Sequence, residues 1–318
     1  MMINDVLKML RAAGEPSRLR LLALCTYGEF SVGELSQILG QSQPRVSRHL
    51  KILCDAGLLE RSNEGSSAFF RITLDGPGAE LLNRVLPLLP EGDEILVRDR
   101  RRLEFVKSIR ARRAKAYALR IAGHDDDDRE SAADKGRVEQ TLRDVVLNHP
   151  VQRLLDIGTG TGRILQVLGQ NVGVGVGIDS SREMLAVARA NLDDAGLHNC
   201  RVRYADLYEL PFANESFDAV TVQHVLRFVG DPKSAVAEAA RVLTPGASLV
   251  VVDLALRDRN GQVSSPDQHH FGFMDVDMDF WFRAAGLRPV NSIKVPGSPA
   301  TVGIWHGVRD RMGAESYS

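Results

Sequence analysis

The chain has 318 residues, 44% of them hydrophobic and 25% charged, the proportions of a soluble globular protein and enough for two domains at ~100–200 residues each. No apolar run approaches the ~18 residues that a membrane span needs. Met1–Arg11 lacks the pattern of a signal peptide, and three scattered cysteines (Cys25, Cys54, Cys200) exclude a disulfide framework and fit a reducing cytoplasm. The net charge of −1 conceals an imbalance, since residues 1–122 carry 20 Lys+Arg against 14 Asp+Glu and residues 123–318 carry 20 against 27. A basic part joined to an acidic part suggests a polyanion-binding unit attached to something else.

Pro16 followed by Leu19, Leu21, Leu22 and Leu24 predicts a helix that runs into Gly28. Ser31-Val32-Gly33-Glu34 has capping-box spacing, and the short helix after it carries Leu35, Ile38 and Leu39 before stopping at Gly40. Ser42 is placed to cap a third helix with Pro44 in its first turn. Val46, Leu50 and Leu53 face inward there, while Arg45, Ser47, Arg48, His49 and Lys51 are left largely outward. Two short helices around a tight turn at Gly40 read as a helix-turn-helix. Leu58–Arg61 and Ala68–Ile72, flanking Asn63-Glu64-Gly65-Ser66, read as a hairpin placed as a wing. Ser42, Gln43, Arg45, Ser47, Arg48, His49 and Lys51 are therefore expected at the major groove, with Arg61 and Arg71 on backbone phosphates.

Pro16–Leu22, Val46–Leu53 and Ala56–Leu59 resemble the ArsR/SmtB family of winged-helix repressors, over roughly residues 4–90. The resemblance implies a homodimer on a palindromic operator in double-stranded DNA. The family's metal sensing does not carry over. Its paired cysteines correspond here to Ser31 and Gly33, and Cys25 and Cys54 read as packed thiols, so no metal is expected.

Residues 93–122 read as one long helix, a linker or dimerisation element whose many arginines could alternatively contact phosphate. The run His124–Asp128 after it does not match a calcium loop and reads as exposed linker. The predicted domains are thus a winged helix-turn-helix over 1–92, a helical linker over 93–136, an α/β domain over 137–308 and a flexible tail over 309–318.

From residue 137 strands and helices alternate, with strands at 153–157, 173–178, 201–204, 217–222, 248–253, 289–295 and 301–306. This predicts an open, mostly parallel seven-stranded Rossmann-like sheet. Leu154-Leu155-Asp156-Ile157-Gly158-Thr159-Gly160-Thr161-Gly162 ends a strand and opens a helix, so its glycines let the backbone approach a ligand. Its spacing differs from the G-x-G-x-x-G of dinucleotide folds, and Asp156 suits an ammonium better than a pyrophosphate. Asp179, 23 residues later, can take ribose hydroxyls, and Ser180 with Glu183 forms a second capping-box pattern. Asp206 ends the third strand, and Gln223-His224 ends the fourth at the same crevice.

This set, with Asp179–Leu185, Phe217-Asp218 and Glu238–Gly246, resembles the class I S-adenosylmethionine-dependent methyltransferases. The whole chain resembles an ArsR-type repressor fused to such a domain. By position, Asp156, Gly158, Thr159, Gly160 and Gly162 would hold the methionine end of S-adenosylmethionine or S-adenosylhomocysteine. Asp179, Ser180 and Met184 would lie at the ribose, Asp206 and Leu207 at the adenine, and Gln223 and His224 at the sulfur. Tyr117 would close the pocket. His224, His269 and His270 are candidates for a base or for shaping the methyl acceptor. Base-methylating Asn-Pro-Pro-Tyr-like motifs are absent. Three readings stay open: a regulator that binds the cofactor as effector, a bifunctional repressor and methyltransferase, and an O-methyltransferase that uses the winged helix only to dimerise.

Overall fold

Helix-forming stretches in the first hundred residues are short and capped, so their order follows from local signals before packing is considered. The computed structural model describes residues 2–65, 67–121, 132–256, 270–297 and 300–310. The predicted linker run His124–Asp128, the candidate His269 and the end of the predicted tail (311–318) lie outside the described residues. The chain divides into one unit of Met1–Ala116 with Arg189–Arg201 and another of Tyr117–Ala188 with Val202–Ser318.

In the first unit, α1 (Ile3–Ala13) and α2 (Pro16–Cys25) precede a two-residue strand β1 (Phe30–Ser31). Helices α3 (Val32–Leu39) and α4 (Gln43–Asp55) follow, then the wing strands β2 (Leu59–Glu64) and β3 (Ser67–Ile72), α5 (Gly76–Val85) and α6 (Glu94–Ile121). The capping box at Ser31 forms as expected, with Glu34 N–H donating to Ser31 Oγ at 3.3 Å and Ser31 N–H to Glu34 Oε2 at 2.8 Å. Gly40 ends α3 at φ +66°, a left-handed conformation that glycine adopts without steric cost. Ser42 occupies the N-cap of α4 with extended backbone, but its hydroxyl makes no capping bond and stays exposed.

Leu21, Leu22, Leu35, Ile38, Val46, Leu50, Leu53 and Leu58 are fully buried in one core. Leu103 and Val106 of α6 join it. Several charges of α6 are also occupied there: Arg20 makes a two-pronged pair with Asp99 at 2.6 and 2.8 Å, and Arg102 donates to the carbonyl of Ile38 at 3.0 Å. This part of α6 is thus bound into the helix-turn-helix core, in addition to the linker or dimerisation role expected from sequence. β1 pairs with β3, which extends the wing into a three-stranded antiparallel sheet.

The second unit contains the end of α6 from Tyr117, then α7 (Ala132–Val146) and β4 (Val151–Ile157). The chain continues through α8 (Arg163–Leu168), β5 (Val172–Asp179), α9 (Arg182–Asp194) and β6 (Cys200–Tyr204), of which Arg189–Arg201 belongs to the first unit, and then through β7 (Phe217–Gln223), α10 (Pro232–Arg241) and β8 (Leu243–Leu254). It ends with α11 (Asp275–Ala284), β9 (Leu287–Val295) and β10 (Val302–Arg309). Strand order is β6-β5-β4-β7-β8-β10-β9, in which β10 runs antiparallel to both neighbours. β9 therefore forms one edge, and the β9–β10 register shifts at His306/Gly307. β10 reaches Arg309, so the fold takes in the first residue of the predicted tail. Near-continuous apolar runs, such as Leu249–Val252 in β8, are buried as expected of strands covered on both faces. α9 begins one residue later than its predicted cap: Ser181, not Ser180, accepts the helix amide, from Met184 at 3.2 Å.

Candidate functional site

Each unit carries one candidate site. On α4 the inward period of Val46, Leu50 and Leu53 leaves Ser42, Gln43, Arg45, Ser47, Arg48 and Lys51 exposed on the opposite face. His49 departs from the expected groove-facing position. It lies half-buried with Nδ1 3.7 Å from Glu15 Oε2, and burial holds its imidazole below the usual histidine value. Arg61 is exposed on the wing and donates to Asn63 Oδ1 at 3.0 Å. Arg71 is corrected from the expected phosphate contact. The register sets it opposite Glu60, where it is buried with Nε 3.2 Å from Glu60 Oε2. Glu64 at the wing turn is likewise buried, paired within this unit to Arg189 at 3.1 Å.

In the second unit, parallel pairing brings the carboxyl ends of β4, β5 and β7 together, where ligands bind in open α/β sheets. The turn after β4 needs its glycines for two different reasons. Gly158 (φ +68°) lies so close to Val225 that an added Cβ would stand 2.1 Å from its methyl. Gly160 (φ +51°) has no atom within 4 Å of where a Cβ would be, so its bare backbone faces open space. Thr159, buried, ties the loop to β5 through its amide on Ile178 O at 2.8 Å. Gly162 (φ +81°) stands at the N-cap of α8.

Asp156 is 2% exposed and accepts from Thr221 Oγ1 at 2.8 Å. Burial pushes its carboxyl up to about 6, against the hydroxyl bond that favours ionisation. Asp179 accepts the amides of Gly160 (2.9 Å) and Ser181 (2.8 Å) on separate oxygens, and each oxygen retains a lone pair for a further donor. Asp206 is exposed beyond β6 and accepts the Tyr208 amide at 2.9 Å, and Leu207 lies half-buried beside it. Ser180 is exposed, whereas Met184 and Gln223 are half-buried. Tyr117 lies half-buried on α6. Asp218, of the Phe217-Asp218 pair, is bound away from this edge by the amides of Gln152 and Arg153 at 3.0 and 2.8 Å. An open glycine loop between one carboxylate suited to a cation and another with spare acceptors fits the ammonium and ribose of S-adenosylmethionine.

Residues that sequence reasoning passed over stand next to His224. That residue has φ +53°, a rare conformation for a non-glycine, and its amide donates to Val252 O at 2.7 Å. Its Nδ1 lies 4.0 Å from Asp253 Oδ1, and Arg227 Nε lies 3.9 Å from the same atom. Asp253 is fully buried and Arg227 is 4% exposed. His270 is drawn to the same place by its amide on Arg227 O at 3.0 Å, and its ring lies 5.5 Å from Phe273. The signal for Asp253 was present in the chain: an acid ends an apolar strand there as it does at Asp156 and Asp179. Among the described residues no group of three or more His, Cys, Asp or Glu could hold a metal ion. No helix of the described residues is long and apolar enough to cross a membrane.

A winged helix-turn-helix with a basic exposed helix, followed by a seven-stranded sheet with a glycine loop at its switch point, defines a DNA-binding module joined to a nucleoside-cofactor fold. Residues 15–61 match the bacterial regulatory protein, arsR family, and residues 155–251 match the methyltransferase domain family. The chain thus carries an ArsR-family helix-turn-helix and a class I methyltransferase domain. A phosphatidylethanolamine N-methyltransferase of Cereibacter sphaeroides is 39% identical over 108 residues, 34% of this chain and 53% of that protein. A demethylmenaquinone methyltransferase of Thermus thermophilus is 38% identical over 112 residues, 35% of this chain and 50% of that one. The chain therefore spans about half the length of the curated relatives it matches. The solved structure of the [4+2]-cyclase SpnF shares the fold, with a TM-score of 0.51 and 20% identity over 57% of this chain and 82% of that one.

Proposed function

We propose that the protein is a dimeric ArsR-type transcriptional regulator acting in the cytoplasm on a palindromic operator. Its methyltransferase domain binds S-adenosylmethionine or S-adenosylhomocysteine, as effector and/or methyl donor. The observation that carries this reading is the outer face of α4, where Gln43, Arg45, Ser47, Arg48 and Lys51 are exposed together. A winged helix kept only for dimerisation has no need of that surface, which argues against a plain O-methyltransferase. Recognition would place these side chains on base edges and phosphates of the major groove, with Arg61 on a phosphate. His49 and Arg71 would act by holding α4 and the wing in shape.

When bound, S-adenosylmethionine supplies an electrophilic methyl group. Asp156 would pair with its ammonium, Asp179 with its ribose hydroxyls, and Asp206 and the Leu207 amide with its adenine. Gly160 would let the backbone approach it, Ser180 and Met184 would flank the sugar, and Gln223 and His224 would line the sulfur side, with Tyr117 closing over it. A ligand shifts operator occupancy only as far as its affinities for the DNA-competent and incompetent states differ.

A second reading, repressor and active small-molecule methyltransferase in one chain, is supported by the methyltransferase names of the two relatives and by the buried side chains around His224. Both readings are tested by anisotropy titration of the full chain on its own promoter duplex, with and without each sulfur ligand. Binding strengthened or weakened by either ligand supports the effector reading. No binding under any condition overturns regulation, and binding indifferent to both ligands overturns the effector role. Release of labelled methyl into a small-molecule pool, lost in Asp156→Ala, would establish the bifunctional protein.

A further inference from the structure

The buried charges at the carboxyl ends of β7 and β8 are incompletely bonded. Asp253 is 0% exposed, yet only its Oδ1 is engaged, by the Leu254 amide at 2.9 Å. Its Oδ2 has no hydrogen-bond partner among the described residues, and neither has Nε of Arg227. Arg227 Nε stands 3.9 Å from Oδ1, near enough to balance its charge and too far to donate to it. A buried carboxylate oxygen and a buried guanidinium N–H left open cost free energy unless something fills the gap. Position ties this gap to the cofactor loop. His224 and Asp253 each follow the last pair that joins β7 to β8, Gln223 and Val252, and Val225 packs on Gly158.

We infer that Asp253 and Arg227, with His224 beside them, form the acceptor subsite of the methyltransferase domain. It takes a neutral aromatic compound bearing two adjacent oxygen substituents, at least one of them a hydroxyl. The hydroxyl donates to Asp253 Oδ2, and the neighbouring oxygen accepts from Arg227 Nε. Because the Arg227–Asp253 pair is already neutral, a neutral guest adds no unbalanced charge to a buried site. The aromatic ring is suggested by the side chains at hand. Phe228 is exposed with its ring 5.1 Å from the Arg227 guanidinium carbon, and His270 and Phe273 lie alongside. This inference rests on the cofactor-binding reading of the second unit, and the two are separated by titrating the two ligands separately.

The test is calorimetric titration of the full chain, first with S-adenosylhomocysteine, then with catechol or 1,2-dimethoxybenzene on the loaded protein. Catechol is expected to bind at least tenfold more tightly than 1,2-dimethoxybenzene, which offers the same oxygens without a donor. Asp253→Asn should reduce that preference below threefold. Arg227→Lys, which keeps the charge and lacks Nε, should weaken catechol by a similar factor. Both variants should keep wild-type affinity for S-adenosylhomocysteine, and if Asp253→Asn does not fold, Arg227→Lys decides the matter. Equal binding of the two probes, no binding of catechol to the loaded wild type, or catechol affinity unmoved by either substitution overturns the inference. Failure of S-adenosylhomocysteine itself to bind overturns the cofactor reading instead.

Discussion

Asp156 is a carboxylate placed where water cannot solvate it, and its titration makes two opposed predictions. Its raised value, about 6, means that the folded chain holds this proton more tightly than the unfolded chain does. The free protein therefore loses stability from this residue as pH rises from ~4 toward 6. The proposed cofactor contact runs the other way, because an ammonium would pair with the ionised form. Affinity for S-adenosylhomocysteine should be constant above about pH 6 and fall toward tenfold per unit below it. Calorimetry at several pH values checks this, and Asp156→Asn should remove the pH dependence while lowering affinity by about 2–5 kcal/mol, as when one partner of a buried charge pair is truncated. Gly158→Ala is expected to be worse tolerated than Gly160→Ala in a thermal melt, since only the former drives a methyl into Val225.

At the scale of elements, α4 and the wing separate two kinds of arginine. Arg45→Ala and Arg48→Ala should each weaken operator binding by about 1–3 kcal/mol with the melting temperature unchanged. Arg71→Ala should instead lower the melting temperature, since its side chain is buried against Glu60, and the same anisotropy assay with a melt distinguishes them. Sequence made the first group legible because a helix's 3.6-residue period settles which face is buried once Val46, Leu50 and Leu53 are recognised. It could not settle Arg71, because both strands of a hairpin alternate and only the register with β2 reveals the partner opposite. The glycine loop, Asp156 and Asp179 were readable for a related reason, each sitting at the end of a locally recognisable strand. The meeting of Arg227 with Asp253 was not, although Asp253 ends an apolar strand in the same way. The two residues are far apart in the chain and meet only through the parallel pairing of β7 with β8, whose order no local signal encodes. The insertion of β10 between β8 and β9 was hidden in the same way.

At the scale of the whole molecule, a basic half of +6 and an acidic half of −7 predict a binding constant that depends steeply on salt. If Lys51 meets a phosphate as proposed, Lys51→Ala should reduce the slope of log affinity against log salt by about 1. Asp179→Ala should abolish the response of operator binding to either sulfur ligand and leave ligand-free affinity near wild type. A variant that fails in both respects would mean that cofactor and operator recognition are not separable. Among the described residues β9 has a strand on one side only, and it carries Pro289, which has no amide to offer, and the charged Arg288 and Lys294, beside the register shift at His306/Gly307. These devices discourage edge-to-edge strand pairing at β9 between molecules in a crowded solution. The proposed homodimer would then draw on helical surfaces such as α1, where Ile3, Leu7 and Leu10 remain exposed.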